Sequence, residues 1–160
     1  MTEIYLETFI NAPIRICFDL SRSIDLHKSS LEHTDEKAIG GRTSGLIEKD
    51  EFVTWQAKHF GIRQNLTVKI TAVDSPVYFC DEMVKGAFKS MRHEHFFEQK
   101  EAGTLMKDKF CYETPFWFFG QIFDAFVLKN YMKRLLETRN QTIKRIAESE
   151  DWKKLLPHKD

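Results

Sequence analysis

The sequence predicts an α+β domain: a curved antiparallel sheet of six to seven strands wrapped around one long C-terminal helix, with two short helices after the first strand. Three observations predict it. Glu51 to Glu113 reads as five short strands separated by Gly, Pro and Asp turns, and turns that short force neighbouring strands to run antiparallel. From Phe116 to about Ala147 there is no proline and only one glycine, Gly120, while Ile122, Phe126, Leu128, Tyr131, Met132, Leu135, Leu136, Ile143 and Ile146 recur at helical spacing. A single amphipathic helix that follows a meander has to bury its stripe on the concave side of the sheet, and that arrangement leaves a pocket between the two.

Each element has its own signal. Ile4 to Ile10 alternates, with Ile4, Leu6, Thr8 and Ile10 on one face and Tyr5, Glu7 and Phe9 on the other, the pattern of a half-buried strand. Asn11-Ala12-Pro13 opens a short helix, proline suiting the first turn, with Ile14, Cys17 and Phe18 facing in. Ser21-Arg22-Ser23 interrupts it, and a second short helix is expected over Ile24 to Leu31, with Ser23 or Asp25 near its cap. A weaker strand covers Glu36 to Ile39 and ends at Gly40-Gly41. Leu46 to Lys49 is expected as a further short strand. The meander then runs through Glu51 to Phe60, Ile62 to Val73, Val77 to Val84, Phe88 to Gln99 and Thr104 to Glu113, and Thr114-Pro115 stops the sheet. Residues 1–150 read as one domain and 151–160 as a charged tail in which Trp152, Leu155 and Leu156 can still pack.

The bulk composition narrows the function classes. Hydrophobic residues make up 42% and charged residues 30% of 160 residues, which suits one soluble domain with a real core. Lys plus Arg equals Asp plus Glu, 24 each, so the surplus of positive charge that nucleic-acid binding needs is missing. No basic region or apolar run opens the chain, and no stretch reaches the length of a membrane span. A cytoplasmic protein with no stable membrane insertion is expected. Cys17, Cys80 and Cys111 are an odd number without CxxC spacing, which points to free thiols packed as small hydrophobes and away from a structural metal or nucleophilic catalysis. Fourteen phenylalanines suit either a lined cavity or an ordinary core. Phe116-Trp117-Phe118-Phe119 reads as core packing at the helix entrance, with a membrane-touching loop as the alternative.

The order of elements resembles the helix-grip fold of the START-like (SRPBCC) superfamily, which includes birch-pollen-allergen-type and polyketide cyclase/dehydrase-like proteins. "ETFINAPIRICFDL" resembles its opening strand, Ala-Pro and first helix. "VTWQAKHFG", "VYFCDEMVKGAFKSMRHEHFFE" and "GTLMKDKF" resemble blocks of a bacterial polyketide cyclase/dehydrase-like subgroup. The resemblance covers essentially the whole chain and implies the fold. It leaves function open, because the superfamily holds lipid carriers, hormone receptors and cyclases alike, and no catalytic motif is carried over from it.

Strand alternation places a polar row among the aromatics. Val53, Trp55 and Ala57 set the inward face of their strand, which brings His59 inward; Val77, Phe79 and Met83 bring Asp81 inward; Met91 and Phe97 bring His93 and His95; Met106, Phe110 and Tyr112 bring Asp108. Turn positions put Asp81 opposite Met91 and one step from His93, Asp108 beside His93 or His95, and His59 opposite Gln64. Such a row can stabilise itself as a polar core, orient the polar end of an apolar ligand, or move protons, with His93 or His95 as base and Asp108 as orienter. Three histidines and two aspartates would also suffice as metal ligands, but no metal and no cofactor is expected. Arg139 falls near the helix stripe, either reaching a ligand carboxylate or snorkelling to the surface. The expected function is binding of a small, mostly apolar molecule such as a lipid, polyketide or quinone. Trp55, Met83, Met106, Phe110 and Tyr112 are the expected walls, and His59, Asp81, His93, His95, Asp108 and Arg139 the polar contacts. The alternatives are a cyclase- or dehydratase-like enzyme and a non-enzymatic partner-binding module. The oligomeric state is left open.

Overall fold

The computed structural model describes residues 1–30, 34–115 and 127–157. Seven strands form one antiparallel sheet: β1 (Thr2–Ile10), β2 (Lys37–Gly41), β3 (Phe52–His59), β4 (Ile62–Asp74), β5 (Tyr78–Lys85), β6 (Ser90–Lys100) and β7 (Gly103–Glu113). Their order is β1-β7-β6-β5-β4-β3-β2, so β2 to β7 is a plain meander and β1 returns to pair with the last strand. Two short helices, α1 (Ile14–Ser21) and α2 (Ile24–Ser30), bridge β1 to β2 across the sheet's concave face. The long helix α3 (Lys129–Ala147) lies across that face and packs on β1, α1 and α2; α4 (Trp152–Leu155) closes the described chain. The chain's expected helix before residue 127, with Ile122, Phe126 and the Phe116–Phe119 aromatics, lies outside the described residues.

The inward faces are those that alternation predicts. In β6, Met91, His93, His95 and Phe97 are all buried between exposed or half-buried neighbours, and in β7 Met106, Asp108, Phe110 and Tyr112 are buried, with Cys111 buried on the opposite face. Ser23 caps α2, its Oγ accepting from the Leu26 N–H at 3.2 Å. On α3, Leu135, Leu136, Arg139, Asn140, Ile143, Ile146 and Ala147 are buried, three- and four-residue steps that describe one stripe. Leu156 belongs to the core and Trp152 and Leu155 pack against it.

Three local expectations are corrected. Leu46–Lys49 is no strand: a single bridge joins Leu46 to Ser23, and the Ile47 and Asp50 N–H groups bond out to Arg22 and Ile70 instead of to a neighbouring ladder. His59 pairs with Ile62 and Ala57 with Gln64, two residues from the expected register. The reason is a two-residue turn in which Phe60 and Gly61 both take positive φ, 51° and 78°, the geometry that matches strand twist in a tight hairpin. Asp81 pairs with His93 rather than Met91, because Phe88 leaves the strand to pack on Phe110 and Tyr112 and lengthens the loop. Cys80 and Cys111 do fall on the outer side of the sheet, yet both are buried free thiols there. Burial holds the thiols of Cys17, Cys80 and Cys111 above the ordinary range, Cys17 at about 11.

Gly103 is required by close approach. It opens β7 at φ 152°, and a Cβ there would lie 2.3 Å from the Ile10 carbonyl oxygen. Gly103→Ala is expected to lower stability by more than about 1 kcal/mol, since the backbone of β1 cannot rotate away as a side chain would. Urea unfolding measures it, and an unchanged midpoint would contradict the stated contact.

Candidate functional site

Between the concave sheet and α3 lie two adjoining chambers. The outer one, about 570 Å³, is lined mainly by apolar and aromatic groups, among them Trp55, Ala57, Leu66, Phe88, Leu128 and Met132. The inner one, about 160 Å³, shares Trp55, Leu66, Phe88 and Met132 with it and ends on Asp81, His93, His95 and Arg139. The site is therefore apolar at one end and polar at the other.

Four elements build the polar floor. Asp81 on β5 stands opposite His93 on β6, and His95 opposite Asp108 on β7. The side chains bond along the diagonals: His95 Nε2 meets Asp81 Oδ1 at 3.1 Å, and His93 Nε2 meets Asp108 Oδ1 at 3.0 Å. Asp108 Oδ1 is also 2.8 Å from His95 Nδ1. From α3, Asn140 donates to Asp108 Oδ2 at 2.6 Å, and Arg139 donates to the Ser21 carbonyl at 2.8 Å with its other nitrogen 3.7 Å from Asp108 Oδ1. The rings pack closely: His93 and His95 have centroids 3.8 Å apart with their planes tilted by 41°, and Phe79 stacks on His95 at 4.0 Å.

Burial and bonding pull these groups in opposite directions. Loss of hydration, with help from neighbouring His95, lowers His93 to about 4 against the pull of Asp108, so His93 is a neutral imidazole at neutral pH, and its Nε2–H donates to Asp108. For Asp108 burial works upward, but hydrogen bonds from His93 and His95 and their charge outweigh it and hold the carboxyl well below the usual range. Asp81 is lowered in the same way, burial being outweighed by the His95 bond and the nearby positive charges, Arg139 included.

Among the sequence-predicted residues, Trp55, His59, Asp81, His93, His95, Phe110 and Arg139 line the chambers. Met83, Met106, Asp108 and Tyr112 line neither. One shift in the β4–β5 ladder, between Thr67 and Val68, falls beside Met83, whose sulfur packs at Gly86. Met106 and Tyr112 are wholly covered, Met106 under α1 where Ser21 Oγ donates to its sulfur at 3.4 Å, and Tyr112 against Phe88. Asp108 sits behind the histidines as their buried partner. Arg139 does not snorkel; it is 5% exposed because acceptors for it exist inside.

No family model and no curated protein matches this chain. Solved structures do. TTHA0849 from Thermus thermophilus superposes with a TM-score of 0.70 at 18% identity, covering 89% of this chain and 97% of that one. Ginseng major latex-like protein 151 from Panax ginseng gives 0.67 at 15% identity over 92% and 98%, and Ara h 8.0201 gives 0.62 at 12% identity over 89% and 97%. The fold is the helix-grip fold. Identities this low speak for architecture alone. No helix among the described residues is long and apolar enough to cross a membrane.

Within the helix-grip frame, several site residues escape a reading of the sequence. Asn140 follows Leu136 by four and precedes Ile143 by three, so its place on the buried stripe is visible in the spacing; its polarity hides it. Glu36 borders both chambers beside His27, whose ring stacks on Trp55 at 4.3 Å. Nothing in the alternation around Glu36 marks it, because its inward turn depends on how the α2–β2 connection enters the sheet. Tyr131 falls on the helix stripe, but its hydrogen bond to His59 Nδ1 at 2.8 Å joins α3 to the far end of β3, a contact that only tertiary packing creates.

Proposed function

We propose that this protein binds one small, mostly apolar molecule of lipid, polyketide or quinone-like chemistry. Its apolar body fills the outer chamber and its polar end meets Asp81, His93, His95 and Arg139. The observation that carries this reading is the roughly 570 Å³ apolar chamber adjoining a polar-floored one, a size and lining suited to a drug-sized ligand with few fixed polar contacts. The resemblance to the cyclase/dehydrase-like subgroup and the helix-grip architecture support it.

Ala57 is buried and borders the outer chamber. Ala57→Phe is expected to fill the space its ligand needs, abolishing displacement of a hydrophobic fluorescent probe while leaving the thermal midpoint within a few degrees. Native mass spectrometry of the protein from its own cells should show a retained small molecule in the parent chain and none in the variant. Probe binding of equal strength in both would refute the location.

One observation favours a second reading. The neutral His93 imidazole, held at Nε2 by Asp108, is built as an oriented general base facing the inner chamber. In that case His93→Ala removes turnover while ligand affinity stays roughly intact; for a carrier the same change lowers affinity or does nothing.

A further inference from the structure

We propose that Asp81, His93 and His95 form a site for one divalent transition-metal ion. Two imidazoles and one carboxylate would occupy one side of the ion and leave its other positions turned to the inner chamber. One ligand atom from each of the three residues lies within 4.8 Å of the others. His95 Nε2 and Asp81 Oδ1 stand 3.1 Å apart, the separation of two adjacent ligands that each lie about 2.1 Å from a shared ion. All three come from neighbouring strands, β5 and β6, whose backbones are tied by the ladder, so the donor set is held by rigid elements.

The surroundings fit an ion as well as the donors do. Metal-ligating histidines are oriented by a carboxylate at the ring nitrogen that the metal does not use. Here one carboxylate stands behind both rings: Asp108 Oδ1 is 3.0 Å from His93 Nε2 and 2.8 Å from His95 Nδ1, and it is itself held by Asn140. His93 therefore offers the ion the nitrogen that Asp108 leaves over, and His95 offers Nε2.

Imidazole with a single carboxylate suits Zn, Fe, Co, Ni or Cu and disfavours Mg and Ca, which prefer all-oxygen sites. The open positions would take an oxygen from the ligand's polar end.

This goes beyond the apolar-ligand reading and is tested without any organic ligand, so either can fail alone. Chelator-stripped protein is titrated with cobalt(II) alone. Expected are saturation at one ion per chain, visible d–d absorption, and affinity lower by at least tenfold in Asp81→Asn and in His93→Gln. Asp108→Asn should weaken binding by about 10- to 100-fold without removing a ligand. Absence of stoichiometric uptake, or equal affinity in Asp81→Asn, overturns the proposal. Should a variant fail to fold, X-ray absorption of the zinc-loaded parent chain decides: two imidazoles and a light oxygen donor around the ion are expected, and fewer than two imidazoles overturns the assignment. Probe binding to the outer chamber, measured in chelator, reports on the apolar-ligand reading separately.

Discussion

Replacing Asp108 by alanine is expected to destabilise the metal-free protein by about 3–5 kcal/mol, the usual penalty for removing one partner from a buried ionic cluster. Asp108 is 1% exposed and is the acceptor on which β6 and α3 converge. Its loss strands the His93 Nε2–H and an Asn140 N–H in a dry interior and takes from Arg139 a carboxylate 3.7 Å away. Each orphaned donor costs about 1–3 kcal/mol, so the total follows from the partners rather than from the aspartate's own burial. Asp108→Asn keeps an oxygen for His93 and should lose clearly less. Urea unfolding of the three proteins, read at constant slope, makes the comparison. A loss under about 1 kcal/mol for Asp108→Ala would mean that water replaces the carboxylate and that the floor is wetter than its burial states.

Phe18→Ala carries the second large effect, again about 3–5 kcal/mol. Phe18 lies on α1, wholly buried, edge-on to Phe79 at 5.7 Å and to Phe97 at 5.4 Å, with the Arg22 guanidinium 5.3 Å from its ring centre. Phe79 in turn stacks on His95. Truncation leaves a void that α1, tied at Ala12 by a 2.8 Å hydrogen bond from Thr104 Oγ1, cannot collapse to fill. It also frees the ring that steadies His95. The expectation is a drop in thermal midpoint together with weaker binding at the floor. Phe18→Leu, which keeps most of the volume, should recover much of both. If Phe18→Ala changed binding but not stability, the helix would be a mobile cover rather than part of the core.

Much of the site was legible in advance because side-chain direction in a strand is local. Val53 and Trp55 sufficed to turn His59 inward, and the cost of burying Arg92 and Glu94 sufficed to turn His93 and His95 inward. Both register differences, at His59 and at Asp81, are slips of two residues. An even slip moves a residue along its strand and leaves it on the same face, so the faces survived while the pairings changed. Met83 keeps the inward side and packs against the core, but the ladder shift just beyond it and its packing at Gly86 hold it off the chamber walls, a local bulge that alternation does not show. Arg139 and Asn140 show the other limit. Helical spacing put both on the buried stripe, but whether a buried Arg is tolerable depends on acceptors contributed by β7 and α1, more than thirty and a hundred residues away.

By itself the sequence determined the meander, the gripping helix and which side chains turn toward the interior. Periods of two and 3.6 are properties of neighbouring residues and need no knowledge of the rest of the chain. Only the tertiary structure decided that Asp81, His93, His95 and Asp108 bond crosswise, that α3 supplies Asn140 and Arg139 to them, and that open volume remains beside Trp55 and Leu66. Those outcomes turn on ångström-scale distances between elements far apart in the chain. Turn conformation, bulges and the seating of α3 on β1, α1 and α2 set those distances together.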